Sequence, residues 1–145
     1  MEREFAGRMQ ARRGELVDAL AQHGLVAERA GEPSGLLSYR CDAEGCELVL
    51  LVVRERRVGT GTVLLDALLE TLRRDVDSCA RVWLVTTNDN VDALRFYQRQ
   101  GFGLRALRPG AVDYARRELK AAIPVAGDHG IPIRDEIELE LPLRR

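Results

Sequence analysis

Two segments of this 145-residue chain combine residue types whose spacing could do chemistry. The first is Arg56-Arg57-Val58-Gly59-Thr60-Gly61, which follows an apolar run over residues 48–53 and opens an amphipathic run over residues 64–72. Strand, glycine loop and helix start, in that order, make an anion site suited to phosphate. The first amides of a helix have no intrahelical partner, and the helix dipole adds positive potential there. Two glycines let a bulky anion come close to the backbone. No Lys-Ser or Lys-Thr follows Gly61, so this is not a Walker loop. Leu64 stands where a dinucleotide fingerprint needs its third small residue, which argues against a Rossmann site. The second segment is Asn90-Val91-Asp92-Ala93-Leu94-Arg95-Phe96-Tyr97-Gln98-Arg99-Gln100-Gly101-Phe102, which places a capping asparagine ahead of an aromatic pair and a glycine stop.

These segments need a framework to hold them. Residues 2–23 read as one charged, modestly apolar helix ended by Gly24. Residues 25–29 and 36–39 read as short strands around the turn Gly31-Glu32-Pro33-Ser34. Residues 46–53 have almost no polar alternation, the pattern of a strand buried on both faces. Gly61, Leu64, Leu65, Leu68, Leu69 and Leu72 fall on one helical stripe. Residues 81–87 form another strand, and Asn88-Asp89-Asn90 supplies turn and cap chemistry, with Asp89 and Asp92 as a capping pair. Ala93, Phe96 and Tyr97 share one face of the helix that follows. Residues 102–107 read as a strand, 112–122 as a helix and 124–132 as a loop. Ile137, Leu139 and Leu141 alternate with Glu136, Glu138 and Glu140, a half-buried strand whose glutamates face solvent. The class is α/β: an antiparallel meander, then a right-handed strand–helix–strand crossover that gives parallel pairing.

Residues 90–102 have the pattern N-x-x-A-x-x-F-Y-x-x-x-G-F, and residues 56–61 have R-x-x-G-x-G. Together, over about residues 25–108, they resemble the GNAT superfamily of acyl-CoA-dependent N-acyltransferases. The resemblance implies one domain over residues 1–145 with a mixed, mostly antiparallel sheet. Its central parallel strand pair is splayed and flanked by helices. The family's N-terminal strand is expected to be absent or displaced, because the 24 residues before Leu25 hold only about one helix.

The resemblance also implies a site. Acetyl-CoA is the expected co-substrate, with no metal. Its pyrophosphate would rest on amides of Arg57, Val58, Gly59, Thr60, Gly61 and Thr62, with Arg56 and Arg57 as charge partners. Pantetheine would run along Leu51, Val52 and Val53, in a split from residues 81–87, and the amide of Leu51 or Val52 would donate to the thioester oxygen. Asn90 and Phe96 would contact the cofactor, Tyr97 would protonate the leaving thiolate, and Glu47 is the candidate general base. The plainer readings are a packing role for Tyr97 and a solvated strand start for Glu47.

The formal net charge of −1 makes no case for nucleic acid or membrane partners, and no apolar run reaches the length of a span. Met1-Glu2-Arg3-Glu4 does not read as a signal peptide. Cys41, Cys46 and Cys79 are odd in number and lack metal-type spacing, so a cytoplasmic setting with free thiols is expected. The acceptor is expected to be a small-molecule or peptide amine, and an exposed sheet edge invites a homodimer. The alternative function is a non-catalytic acyl-CoA-binding or regulatory module of the same fold, and a third is an interaction domain that has lost the ligand.

Overall fold

The computed structural model describes residues 8–55, 58–75 and 79–143. Eight strands are present: β1 (Met9–Arg12), β2 (Glu15–Asp18), β3 (His23–Arg29), β4 (Glu32–Asp42), β5 (Gly45–Val53), β6 (Arg81–Thr87), β7 (Gly103–Arg108) and β8 (Glu136–Pro142). Three α-helices accompany them among the described residues: α1 (Thr60–Asp75), α2 (Val91–Arg99) and α3 (Ala111–Glu118). Six strands form a mixed sheet in the order β3-β4-β5-β6-β8-β7, and β1 and β2 pair separately. The expected α+β architecture is therefore present, with no strand outside β3 among the described residues.

The chain divides into two compact units. The first holds Asp18–Val82 with Arg8, Pro142 and Leu143, and the second holds Met9–Val17 and Trp83–Leu141. In the first unit β3, β4 and β5 form an antiparallel meander. Ala30 and Gly31, at φ 55° and 82°, make the tight turn between β3 and β4. The turn therefore sits earlier than the Gly31-Glu32-Pro33-Ser34 expected, and Glu32 to Ser34 already belong to β4. Leu64, Leu65, Leu68 and Leu72 of α1 are buried, as the stripe requires. The helix start lies close on β4 because Gly35 has no side chain: a Cβ there would fall 2.9 Å from Thr60 Cγ2 and 3.0 Å from Leu64 Cδ1.

The strand β5 is not uniformly buried. Gly45 to Leu48 are buried, while Val49 to Val53 stay partly accessible. The register jumps from Ser38↔Leu50 to Tyr39↔Leu48, so Val49 is an extra residue in β5. Such a bulge bends its strand and interrupts the ladder locally. The apolar run thus reads as a buried strand in its first half and as an accessible apolar surface in its second.

In the second unit β7 and β8 pair antiparallel, with a bulge at Arg105. Asn88 ties the end of β6 to the start of β8. Its Oδ1 accepts from the amides of Arg134 and Asp135, both at 2.9 Å. Residues 9–18 overturn the expectation of one helix over 2–23, of which residues 1–7 lie outside the described residues. Arg13 and Gly14, at φ 52° and 73°, form a two-residue turn joining β1 to β2. The sequence there is only modestly apolar, and Gly14 weakens a helix interior by about 1 kcal/mol relative to alanine. Gly24, expected to stop that helix, lies within β3. No helix among the described residues is long and apolar enough to cross a membrane.

Candidate active site

Val58 to Gly61 lead into α1 as their residue types require. Gly59 adopts φ 86°, and a Cβ there would meet nothing within 4 Å, so the glycine serves backbone conformation and not packing. The Val63 amide donates to the Gly59 carbonyl at 3.1 Å, closing the first turn of α1. The amides of Thr60, Gly61 and Thr62 then belong to the first turn, where no intrahelical acceptor exists. No acidic residue stands in that turn, while Arg73 and Arg74 occupy the last one. The basic last turn complements the helix dipole, and the first turn carries no acid that would compete with an anion there. Val58 is exposed. Arg56 and Arg57, the expected charge partners, lie outside the described residues.

Leu51, Val52 and Val53 pair with Leu37, Leu36 and Gly35 of β4 and remain partly accessible. They lead directly into the loop, so one continuous stretch of the first unit carries the expected pantetheine and phosphate contacts. Glu47 stands at the other end of β5. It lies six positions before Val53, about 20 Å at strand rise. It is not the solvated strand residue of the plainer reading: it is only 2% exposed, and its Oε1 accepts from Arg40 Nε at 3.0 Å.

In the second unit Asn90 caps α2. Its Oδ1 accepts from the Ala93 amide at 3.2 Å, and its Nδ2 donates to Thr86 Oγ1 at 3.2 Å. The capping pair expected of Asp89 and Asp92 is replaced by this single asparagine. Asp89 turns away to accept from the Thr87 hydroxyl and from the Asp128 amide. Tyr97 is 7% exposed, with Phe96 and Phe102 edge-on to its ring at 5.1 and 5.4 Å between centroids. Its hydroxyl makes no hydrogen bond among the described residues. Burial pushes the phenol above its usual range near 10.

The glutamates of β8 correct the sequence reading. Glu136 and Glu138 are 2% and 7% exposed rather than solvated. Arg108 donates from Nε to Glu136 Oε1 and from Nη1 to Glu138 Oε1, both at 3.2 Å. The Arg13 amide donates to Glu136 at 3.1 Å, and its guanidinium stacks over the Trp83 ring at 4.7 Å. The cations that these carboxylates meet are the chain's own. Removing one partner of a buried pair strands the other, so Glu136→Gln is expected to lower stability by about 2 kcal/mol. Equilibrium denaturation checks this, and an unchanged midpoint would show that the pair contributes nothing.

Sequence reasoning missed this cluster and the bulge at Val49. Only the cluster left a trace, in the spacing of Arg105 and Arg108 against Glu136, Glu138 and Glu140. Tyr39 stacks on His23 with 5.6 Å between ring centroids. No group of three or more His, Cys, Asp or Glu side chains among the described residues could hold a metal ion.

The accessible end of β5 and the glycine-led start of α1, both in the first unit, suit a thioester carried on a long phosphorylated arm. The chain matches the Acetyltransferase (GNAT) family over residues 2–102, and it belongs to that family. Two Bacillus subtilis proteins are similar in sequence. YdhI is 43% identical over 112 residues, which cover 77% of this chain and 68% of YdhI. YxbD is 40% identical over 105 residues, which cover 72% of this chain and 64% of YxbD. The fold is shared with a GNAT family acetyltransferase from Elizabethkingia anophelis with acetyl-CoA bound. That likeness has a TM-score of 0.72 at 22% identity, over 86% of this chain and 79% of the other. It is shared equally with a Bacillus subtilis acetyltransferase in complex with CoA, at TM-score 0.69 and 22% identity, over 83% and 76% of the two chains.

Proposed function

We propose that this protein transfers an acetyl group from acetyl-CoA directly to a primary amine. The observation that supports the reading is the start of α1, where a left-handed Gly59 leads into a first turn that carries no acidic side chain. The diphosphate of the co-substrate rests on the amides of Thr60, Gly61 and Thr62, and its pantetheine follows Leu51 to Val53. An amide near the bulge of β5 donates to the thioester oxygen as negative charge develops there. The amine nitrogen attacks the carbonyl carbon, the carbon–sulfur bond breaks, and sulfur takes the proton of Tyr97. The proton lost by the amine goes to Glu47 or to water, and solvent reprotonates the phenolate.

One observation favours the second reading, a module that binds acyl-CoA without turnover. The candidate base is already held by Arg40, and Asn90 is committed to its cap. Calorimetric titration with acetyl-CoA tests the part shared by both readings, and saturable binding below about 1 mM is expected. A thiol-release assay over polyamines, amino acids, aminoglycosides and peptide N-termini then separates them. Turnover with any amine supports the enzyme; binding with no turnover across the panel supports the module; absence of binding removes both.

A further inference from the structure

Cys41 and Cys46 stand opposite each other across the β4–β5 hairpin of the first unit, at the register position next to its closing pair, Asp42 and Gly45. Ala43 and Glu44 make the turn. Opposed residues of an antiparallel pair have Cα atoms about 4.5 or 5.5 Å apart, according to the hydrogen bonding of the pair. A disulfide spans about 4.4–6.8 Å between Cα atoms, so either kind of pair accepts one without moving the backbone. The two thiols differ in access. Cys46 is buried and Cys41 is exposed. The strand β3 reaches only as far as Tyr39 of β4, so β4 at Cys41 has no outer strand among the described residues. Gly45, by contrast, lies against Arg81: a Cβ there would fall 2.6 Å from the Arg81 carbonyl oxygen. The third cysteine, Cys79, is buried and donates to that same carbonyl at 3.4 Å. Burial raises the Cys41 and Cys46 thiols above their usual range, and a hydrogen bond from the Cys46 thiol partly offsets this at Cys41. Cys41 is therefore both the thiol that a reagent reaches and the one of the pair that ionises more readily.

We infer that Cys41 and Cys46 form a thiol–disulfide exchange site, which reacts with small disulfides and closes the hairpin with a cross-strand bond. The site is independent of the proposed acetyl transfer. The Cys41 thiolate attacks one sulfur of the small disulfide, giving a mixed disulfide and releasing one thiolate. Cys46 then loses its proton and attacks the Cys41 sulfur. The Cys41–Cys46 bond forms, and the second small thiolate leaves. Two protein thiols are oxidised, one small disulfide is reduced to two thiols, and the protons lost by the cysteines end on those thiols. An excess of reduced thiol runs the same steps backwards. The raised thiols make the first attack slow near neutrality. Closure is driven instead by the fixed position of the second thiol, which turns a bimolecular step into an intramolecular one. Cys79 stays outside the reaction, buried and bonded to a backbone carbonyl. The new bond lies beside the next register pair, Arg40 and Glu47, whose side chains are joined at 3.0 Å. Oxidation therefore adds a covalent tie next to that ion pair.

The test incubates the folded full chain with excess oxidised glutathione, alkylates the remaining thiols under denaturing conditions and maps the peptides by mass spectrometry. The wild type is expected to pass from three alkylated cysteines to Cys79 alone, with Cys41 and Cys46 joined. Excess dithiothreitol is expected to restore all three. Cys46→Ala should stop at glutathione held on Cys41, and Cys41→Ser should take neither adduct nor linkage, because the cysteines left are buried. Cys79→Ser should form the same linkage as the wild type. An unaltered thermal midpoint will confirm that the exposed Cys41→Ser variant folds. The wild-type map decides alone if Cys46→Ala does not fold. A wild type that forms no linkage, or that keeps glutathione on Cys41 without closing, would overturn the inference. So would a linkage that contains Cys79, or an adduct on Cys46 in the folded Cys41→Ser variant.

Discussion

Tyr97→Phe is expected to slow acetyl transfer about a hundredfold and to leave acetyl-CoA affinity within about twofold, the low end of what a positioned general acid contributes. The ring of Tyr97 is packed edge-on between Phe96 and Phe102, and a phenylalanine fills the same seat. The hydroxyl makes no hydrogen bond among the described residues, so its removal orphans no protein group. What the variant is expected to lose is the proposed proton donor for the departing sulfur. Burial raises the phenol's pKa, so the acid stays protonated to higher pH than a free tyrosine and its titration does not lower turnover below about pH 9. The same shift weakens it as a donor. Reference thiols titrate near about 8.5, so full proton transfer to the thiolate is uphill, and the expected effect belongs at the low end of the range. Thiol-release kinetics and calorimetric titration give the two quantities separately. An unaltered rate would take Tyr97 out of the acid role, and a parallel loss of binding and rate would make it a packing residue.

What could be read in advance followed the range of the interaction. The glycine loop, the leucine stripe of α1 and the cap of α2 are local patterns, set by residues within a turn or two of each other. Each formed where the residue types placed it. The glutamates of β8 were placed on the right strand and one common face, but alternation says which residues share a face and not what covers it. The answer lay in Arg108 and Arg13, 28 and 123 residues away from Glu136. The N-terminal hairpin was misread for a related reason. Its helical pattern was weak, and Arg13-Gly14 turns on a positive φ that a non-glycine residue signals poorly. The bulge at Val49 has no residue signature at all, because it is a mismatch of register between two strands. Each of those features depends on pairing across the chain.

Gly127→Ala is expected to cost about 3 kcal/mol of stability, the upper end for forcing one extra carbon into a packed site. Gly127 was visible in the sequence only as a loop glycine, and its φ of −106° needs no special freedom. Space is the constraint. An added Cβ would lie 2.6 Å from Asp89 Cγ and 2.6 Å from the Ile131 carbonyl oxygen, with Asp89 Oδ2 closer still. The carboxylate cannot swing clear cheaply, because it accepts from the Thr87 hydroxyl and from the Asp128 amide at 3.0 Å. The backbone oxygen cannot move either without breaking the 2.9 Å bond that Gly127 donates to it. Asp89 is buried and directly precedes the cap of α2, the helix that carries Tyr97. The strain is therefore expected to reach the acid's helix as well as the loop. Chemical denaturation should show a lower midpoint with an unchanged slope. Gly103→Ala supplies the control: a Cβ there meets nothing within 4 Å, and its effect should stay within about 0.5 kcal/mol. If the two alanine variants unfold alike, the close packing of Asp89 against Gly127 is not what holds the start of α2.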